Sequence, residues 1–95
     1  MINSYGLIQK RSEYYAFKDN VKDLAKKMKL AIDELTEPVS QVAENFTIND
    51  ENGDAYKLKK YQEELINNYN NLINLTIPAI DNQINSLTAA IENAS

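Results

Sequence analysis

The sequence of 95 residues contains no cysteine, no histidine and no tryptophan. Without cysteine, neither a disulfide nor a thiolate site can form. Without histidine, the usual zinc sites and the Ser–His–Asp triad cannot be assembled. The remaining candidates, carboxylates, lysine and tyrosine, show no pairing with a nucleophile, and beyond Leu65 only Asp81 and Glu92 are charged. We therefore predict a protein that is not an enzyme, with no catalytic residue, no metal and no cofactor.

Glycine and proline are also scarce, with two of each. Asn52-Gly53 lies in the polar stretch 47–54, where such residues predict a turn. Asp54 is expected to be the N-cap of the helix that follows. A short β-hairpin, with 46–48 and 56–58 as its strands, is the alternative for this region. Pro38 and Pro78 fall inside helical patterns and predict a kink or a short break in each helix.

Long apolar runs are absent as well, so the sequence predicts neither a signal peptide nor a membrane span of roughly 20 apolar residues. Acids outnumber bases by 14 to 10, for a net charge of −4. Because binding to phosphate needs a surplus of Lys and Arg, nucleic acid is not an expected partner. We expect a chain that is made in the cytoplasm.

Two long helices account for the apolar residues that are present. In the first, the spacing alternates between three and four, which predicts a helix with one continuous apolar seam: Tyr14, Phe17, Val21, Leu24, Met28, Ala31 and Leu35. Three more apolar residues widen this stripe: Leu7, Ala25 and Ile32. A basic row runs beside it and is interpreted as a solvated flank rather than as a groove for an acidic ligand: Arg11, Lys18, Lys22 and Lys29.

The second helix carries two neighbouring apolar stripes. One is formed by Leu58, Tyr61, Leu65, Tyr69 and Leu72. The other, which we call the isoleucine stripe, is formed by Ile66, Ile73, Ile77, Ile80, Ile84, Leu87 and Ile91. Together they are wider than one antiparallel helix can cover. We therefore predict that the isoleucine stripe binds a partner, and that the apolar register changes at Pro78.

The predicted fold is all-α: an antiparallel two-helix hairpin that completes a four-helix-type bundle with a partner. It is expected to form one domain over 1–95. The first helix is predicted at about 4–46 with a kink at Pro38, the turn at 47–54, and the second helix at about 55–93 with a kink at Pro78.

This arrangement resembles the WXG-type helical hairpins of bacterial type VII secretion, and the likeness covers nearly the whole chain. Glu51-Asn52-Gly53 occupies the place of the Trp-x-Gly turn, although the chain has no tryptophan. The isoleucine-rich end, I-P-A-I-D-N-Q-I-N-S-L-T-A-A-I, is similar to that of the small partner proteins of LXG polymorphic toxins.

The resemblance implies a function: a non-enzymatic targeting factor or chaperone that binds the helical N-terminal domain of a secreted toxin. A second small hairpin protein as co-partner, and co-secretion through a type VII system, are part of that expectation. Phe46 and Asp50, in a Phe-x-x-x-Asp pattern, are the candidate targeting motif. The alternative is a homodimeric helical adaptor or structural module of a phage or cell-surface assembly.

Overall fold

Helices make up nearly all of the computed structural model, which describes residues 4–45 and 53–94, with side chains at 4–41 and 53–94. Helix α1 spans Tyr5–Asn45, α2 spans Asp54–Asn71 and α3 spans Ile77–Ala94, with a π-helical turn, Leu72–Thr76, between the last two. No strand occurs among these residues. The all-α prediction is confirmed for this part of the chain.

Helix α1 continues through Pro38 without interruption, so the alternative of a short break there is wrong, and the kink stays a prediction. Proline removes only its own hydrogen bond to the carbonyl four residues earlier, and the rest of the helical ladder persists on both sides. Burial also holds both sides in place, because Ile32 before the proline and Val39 after it are in the core. The first turn is closed by the Ile8 amide, which donates to the Ser4 carbonyl oxygen at 3.0 Å.

The start of α2 differs from expectation by one residue. Gly53 is the N-cap, in an extended conformation with φ −79° and ψ 149°, and Asp54 is the first helical residue. Asp54 still stabilises the helix as an acid in its first turn, where the macrodipole is positive. Because 56–58 are helical, the β-hairpin alternative is wrong. The remainder of the predicted turn, 47–52, lies outside the described residues.

We call α1 the first arm, and α2, the π-helical turn and α3 together the second arm. The two arms are antiparallel. Arg11 Nη1 donates to Thr88 Oγ1 at 3.2 Å, and Lys18 forms an ion pair with Asp81. The two contact residues are seven positions apart in each helix. Their order along the chain is reversed between α1 and α3, as antiparallel helices in a common register require. Helix α1 packs along α2, the π-helical turn and α3. The predicted hairpin is thereby confirmed as two helical arms side by side.

The hairpin is long and thin, measuring 69 × 19 × 15 Å with a radius of gyration of 20.5 Å. A globular domain of this length would have a radius of gyration of about 12 Å. Two helices share only one line of contact, so few side chains can be enclosed. The buried residues are Val21, Ala25, Ile32, Val39, Ala55, Ile80 and Ile84, and none of the described side chains is more than 98% buried.

Candidate interaction surface

The centre of the hairpin is a small cluster that joins α1 to α3. Val21, Ile80 and Ile84 form it, and Tyr14, Leu72 and Ile77 pack against it. Two of the predicted partner-binding residues, Ile80 and Ile84, are therefore enclosed by the chain itself. Beyond Pro78 every large apolar residue belongs to the isoleucine stripe, so α3 has no other large apolar residues with which to pack against α1.

The rest of the isoleucine stripe lies nearer the surface. Ile77, Leu87 and Ile91 are half-buried along α3, and Ile66 is half-buried in α2. Ile73 is exposed, with 39% of its surface accessible. The stripe is thus divided between an inner face at α3 and an open edge near the π-helical turn. Partner binding by this stripe stays a prediction.

The π-helical turn lies directly before Pro78, where the sequence predicted an interruption. Pro78 has no amide hydrogen, and its ring crowds the Asn74 carbonyl of a regular α-helix. The wider turn resolves this conflict, and the Ile77 amide donates to the Leu72 carbonyl oxygen five residues back. A π-turn adds one residue to the helix, so the side chains after it are rotated by about 100° relative to a regular α-helix.

This extra residue explains the change of apolar register. Leu72 and Ile77 both pack against the central cluster although they are five positions apart. A regular α-helix brings residues three or four apart onto one face, so a step of five needs one added residue. The predicted change of seam at Pro78 is therefore located in the π-helical turn.

The seam of α1 is rotated from the predicted one. Val21, Ala25, Ile32 and Val39 are buried, and they follow steps of four and seven. By contrast, Phe17 and Leu24 of the predicted seam are 51% and 50% exposed. At 100° per residue, Phe17 and Leu24 lie roughly 40° and 60° from Val21 on one side of the helix. Lys22 and Lys29 lie roughly 80–100° from Val21 on the opposite side.

Several large apolar side chains consequently remain uncovered on both arms. We call them the open apolar residues: Phe17, Leu24 and Leu30 of α1, Tyr61 and Ile73 of the second arm, and Leu75 of the π-helical turn. Leu75 is 65% exposed. A single exposed apolar residue is ordinary, but a large exposed apolar surface is typical of a protein that binds another protein.

Two shallow grooves lie between the arms in the part of the chain that the structure describes. The uncharged groove, of about 380 Å³, is lined by Tyr14, Leu75, Thr76, Ala79, Ile80 and Gln83. The lysine-edged groove, of about 370 Å³, is lined by Lys22, Ala25, Lys26, Lys29, Leu30, Tyr69, Ile73 and Ile77. Both have apolar floors, and they differ in that only the second has charged residues along one side.

The charged groups form no cluster that could hold a metal ion in the part of the chain that the structure describes. No three acidic residues converge there to hold a metal ion. One pKa shift has a clear cause: the hydrogen bond from Lys29 Nζ to Asp33 Oδ1, at 2.9 Å, and the attraction of that carboxylate raise the pKa of Lys29. Both groups are exposed, so this pair belongs to the surface.

Sequence reasoning missed two features of this region. Leu75 belongs to neither predicted stripe, and its exposure follows from the π-helical turn. Lys26 was not included in the basic row, although it lies four residues from Lys22 on the same side of α1. The proposed targeting motif, Phe46 and Asp50, lies outside the described residues.

Among residues 4–45 and 53–94, none of the helices combines the length and the apolarity that crossing a bilayer requires. Comparisons of the chain with protein-family models, with characterised proteins and with solved structures found no match.

Proposed function

We propose that this chain is a non-enzymatic accessory protein of bacterial type VII secretion. It binds the helical N-terminal domain of an LXG-type toxin and thereby stabilises that domain or targets it for export. The proposal combines the sequence resemblance described above with one observation on the hairpin. That observation is the exposure of the open apolar residues on both arms.

The energetics of covering the open apolar residues favour a partner that makes many contacts at once. Complete burial of a large apolar side chain stabilises a complex by roughly 1.5–3 kcal/mol. A side chain that is already half-buried contributes about half of that, and association itself costs at least about 4 kcal/mol. Several open apolar residues must therefore be covered together, which a helical domain lying along the hairpin can do.

The test is co-expression and co-purification of the chain with the N-terminal domain of an LXG-type toxin. We expect the two to form a complex that survives size-exclusion chromatography. Replacing Leu24 and Leu75 by Asp should abolish the complex, because it would place two charges in the covered surface. Both residues are exposed, so the free hairpin should retain its helical circular-dichroism spectrum.

The matched control adds the same two charges elsewhere. Ser12→Asp and Asn68→Asp also place one acid on each arm, at exposed positions, and should leave the complex intact. Ile80→Asp is unsuitable, because Ile80 is in the central cluster and a buried charge would unfold the hairpin. If the chain associates only with itself and not with an LXG domain, the homodimeric adaptor is the better account.

A further inference from the structure

The lysine-edged groove is chemically asymmetric, because two lysines that were predicted to belong to a solvated flank, Lys22 and Lys29, line one of its edges. Lys22, Lys26 and Lys29 line it along α1, at steps of four and three. The opposite edge is formed by the second arm, which has no charged residue between Leu65 and Ile80. The groove is therefore apolar in its floor, basic on one side and neutral on the other.

The lysines differ in how far their charges are compensated. Lys29 donates to Asp33, so its charge is partly neutralised within α1. Lys22 and Lys26 form no ion pair with any residue in the described ranges. Two cationic groups thus lie beside an apolar surface in which Leu30 and Ile73 are 56% and 39% exposed.

We propose that this groove binds one amphipathic helix of another protein, with Asp or Glu residues along one edge of its apolar stripe. The apolar stripe of that helix covers Tyr69, Ile73 and Leu30, and its acidic edge faces Lys22 and Lys26. The identity of this helix rests on the proposed function, which assigns it to the toxin domain. The charge pattern determines its orientation, because only one edge of the groove is basic.

The same pattern disfavours a second copy of this chain as the occupant. Two copies packed groove to groove about a two-fold axis would place the lysine edge against either the same lysine edge or the uncharged edge. The first arrangement is repulsive, and the second leaves the lysines without acidic partners. Asp or Glu residues on a different chain can form ion pairs with the lysines directly.

The experiment uses two synthetic helical peptides of about three heptads with an identical Leu/Ile stripe. One has Glu along one edge of the stripe, the other has Lys there, and the opposite edge is Asn and Gln in both. Binding to the isotope-labelled hairpin is followed by NMR at about 0.05 M and about 0.5 M salt.

The Glu-edged peptide should bind about tenfold more tightly than the Lys-edged peptide at low salt, because each of several exposed ion pairs raises the affinity a few-fold. The preference should shrink at high salt, and the shifted resonances should be those of Leu30, Tyr69 and Ile73.

Charge reversal gives the matched control. Lys22→Glu with Lys26→Glu should invert the preference between the two peptides. Lys57→Glu with Lys60→Glu makes the same change in net charge at exposed positions that do not line the groove, and it should leave the preference unchanged.

The inference is overturned by equal binding of the two peptides, by no binding of either, or by shifts outside the groove. It is also overturned if the hairpin self-associates and Ile73→Asp abolishes that self-association, or if anionic phospholipid vesicles displace the Glu-edged peptide.

These outcomes are separable from the proposed function. A complex with the LXG domain that is indifferent to Lys22→Glu and Lys26→Glu contradicts only the groove assignment. Absence of that complex, together with a clear peptide preference, contradicts only the function.

Discussion

At the scale of single residues, burial distinguishes side chains that the sequence presents as equivalent. Ile84 and Leu75 are both large aliphatic residues of the second arm, yet Ile84 is 4% exposed and Leu75 is 65% exposed. Ile84 touches the central cluster, whereas Leu75 lines the open uncharged groove. Their replacement should therefore have different consequences for the free hairpin.

We predict that Ile84→Ala lowers the free energy of unfolding of the isolated hairpin by about 2–4 kcal/mol, since it removes buried methylene groups and leaves a cavity. Leu75→Ala, the matched control, should change it by less than about 0.5 kcal/mol. Urea unfolding followed by circular dichroism measures both. Equal effects of the two substitutions would contradict the assignment of Ile84 to the core.

At the scale of elements, the π-helical turn connects two helical segments whose inner faces are out of register. Pro78 is compatible with this turn because it has no amide hydrogen to donate, but the step of five from Leu72 to Ile77 is an independent reason for it. If both residues are to face α1, one extra residue must be accommodated between them whether or not the proline is present.

We therefore predict that Pro78→Ala alone retains the π-helical turn and keeps or slightly raises the helix content. Deleting Asn74, which is exposed, in the Pro78→Ala background should convert the turn to regular α-helix. Leu72 would then be four positions from the former Ile77, and both would still face α1.

Backbone chemical shifts and amide hydrogen exchange detect the two helix types, and urea unfolding should show no loss of stability in the deletion variant relative to Pro78→Ala. The opposite pattern, with regular α-helix after Pro78→Ala alone, would assign the π-turn to the proline rather than to the packing.

At the scale of the whole molecule, the thin rod has one line of contact between its arms and exposed apolar residues beyond it. A third helix lying along it would add contacts without changing the register of the arms. For the free chain, we predict a monomer in which the open apolar residues are accessible to the partner.

Light scattering coupled to size-exclusion chromatography should give a mass near 10.8 kDa, and small-angle X-ray scattering a radius of gyration near 20.5 Å. Addition of the LXG domain at about 100 times its dissociation constant should raise the free energy of unfolding of the hairpin by about 2.7 kcal/mol. A stable dimer of the free chain that does not bind the domain would favour the homodimeric adaptor.

Much of the fold could be predicted from local patterns. Apolar steps of three and four predict two helices, and scarce glycine and proline leave few places for a chain reversal. Pro78 marks the position of an irregularity. These features depend on residues that are neighbours along the chain, and short-range sterics and helical periodicity determine them.

The choice of which stripe faces inward was decided only by the tertiary structure. Helix α1 offers two overlapping seams, one through Phe17 and Leu24 and one through Ala25 and Ile32. The periodicity predicted the first, whereas Ala25 and Ile32 are the buried residues. The second arm selects between them, because its isoleucines after Pro78 must pack against α1 and the π-helical turn sets their rotation. The same pairing places Lys22 and Lys26 beside Ile73 and so creates the lysine-edged groove. Periodicity along one helix specifies which residues share a face, whereas burial depends on the side chains that another element brings to that face.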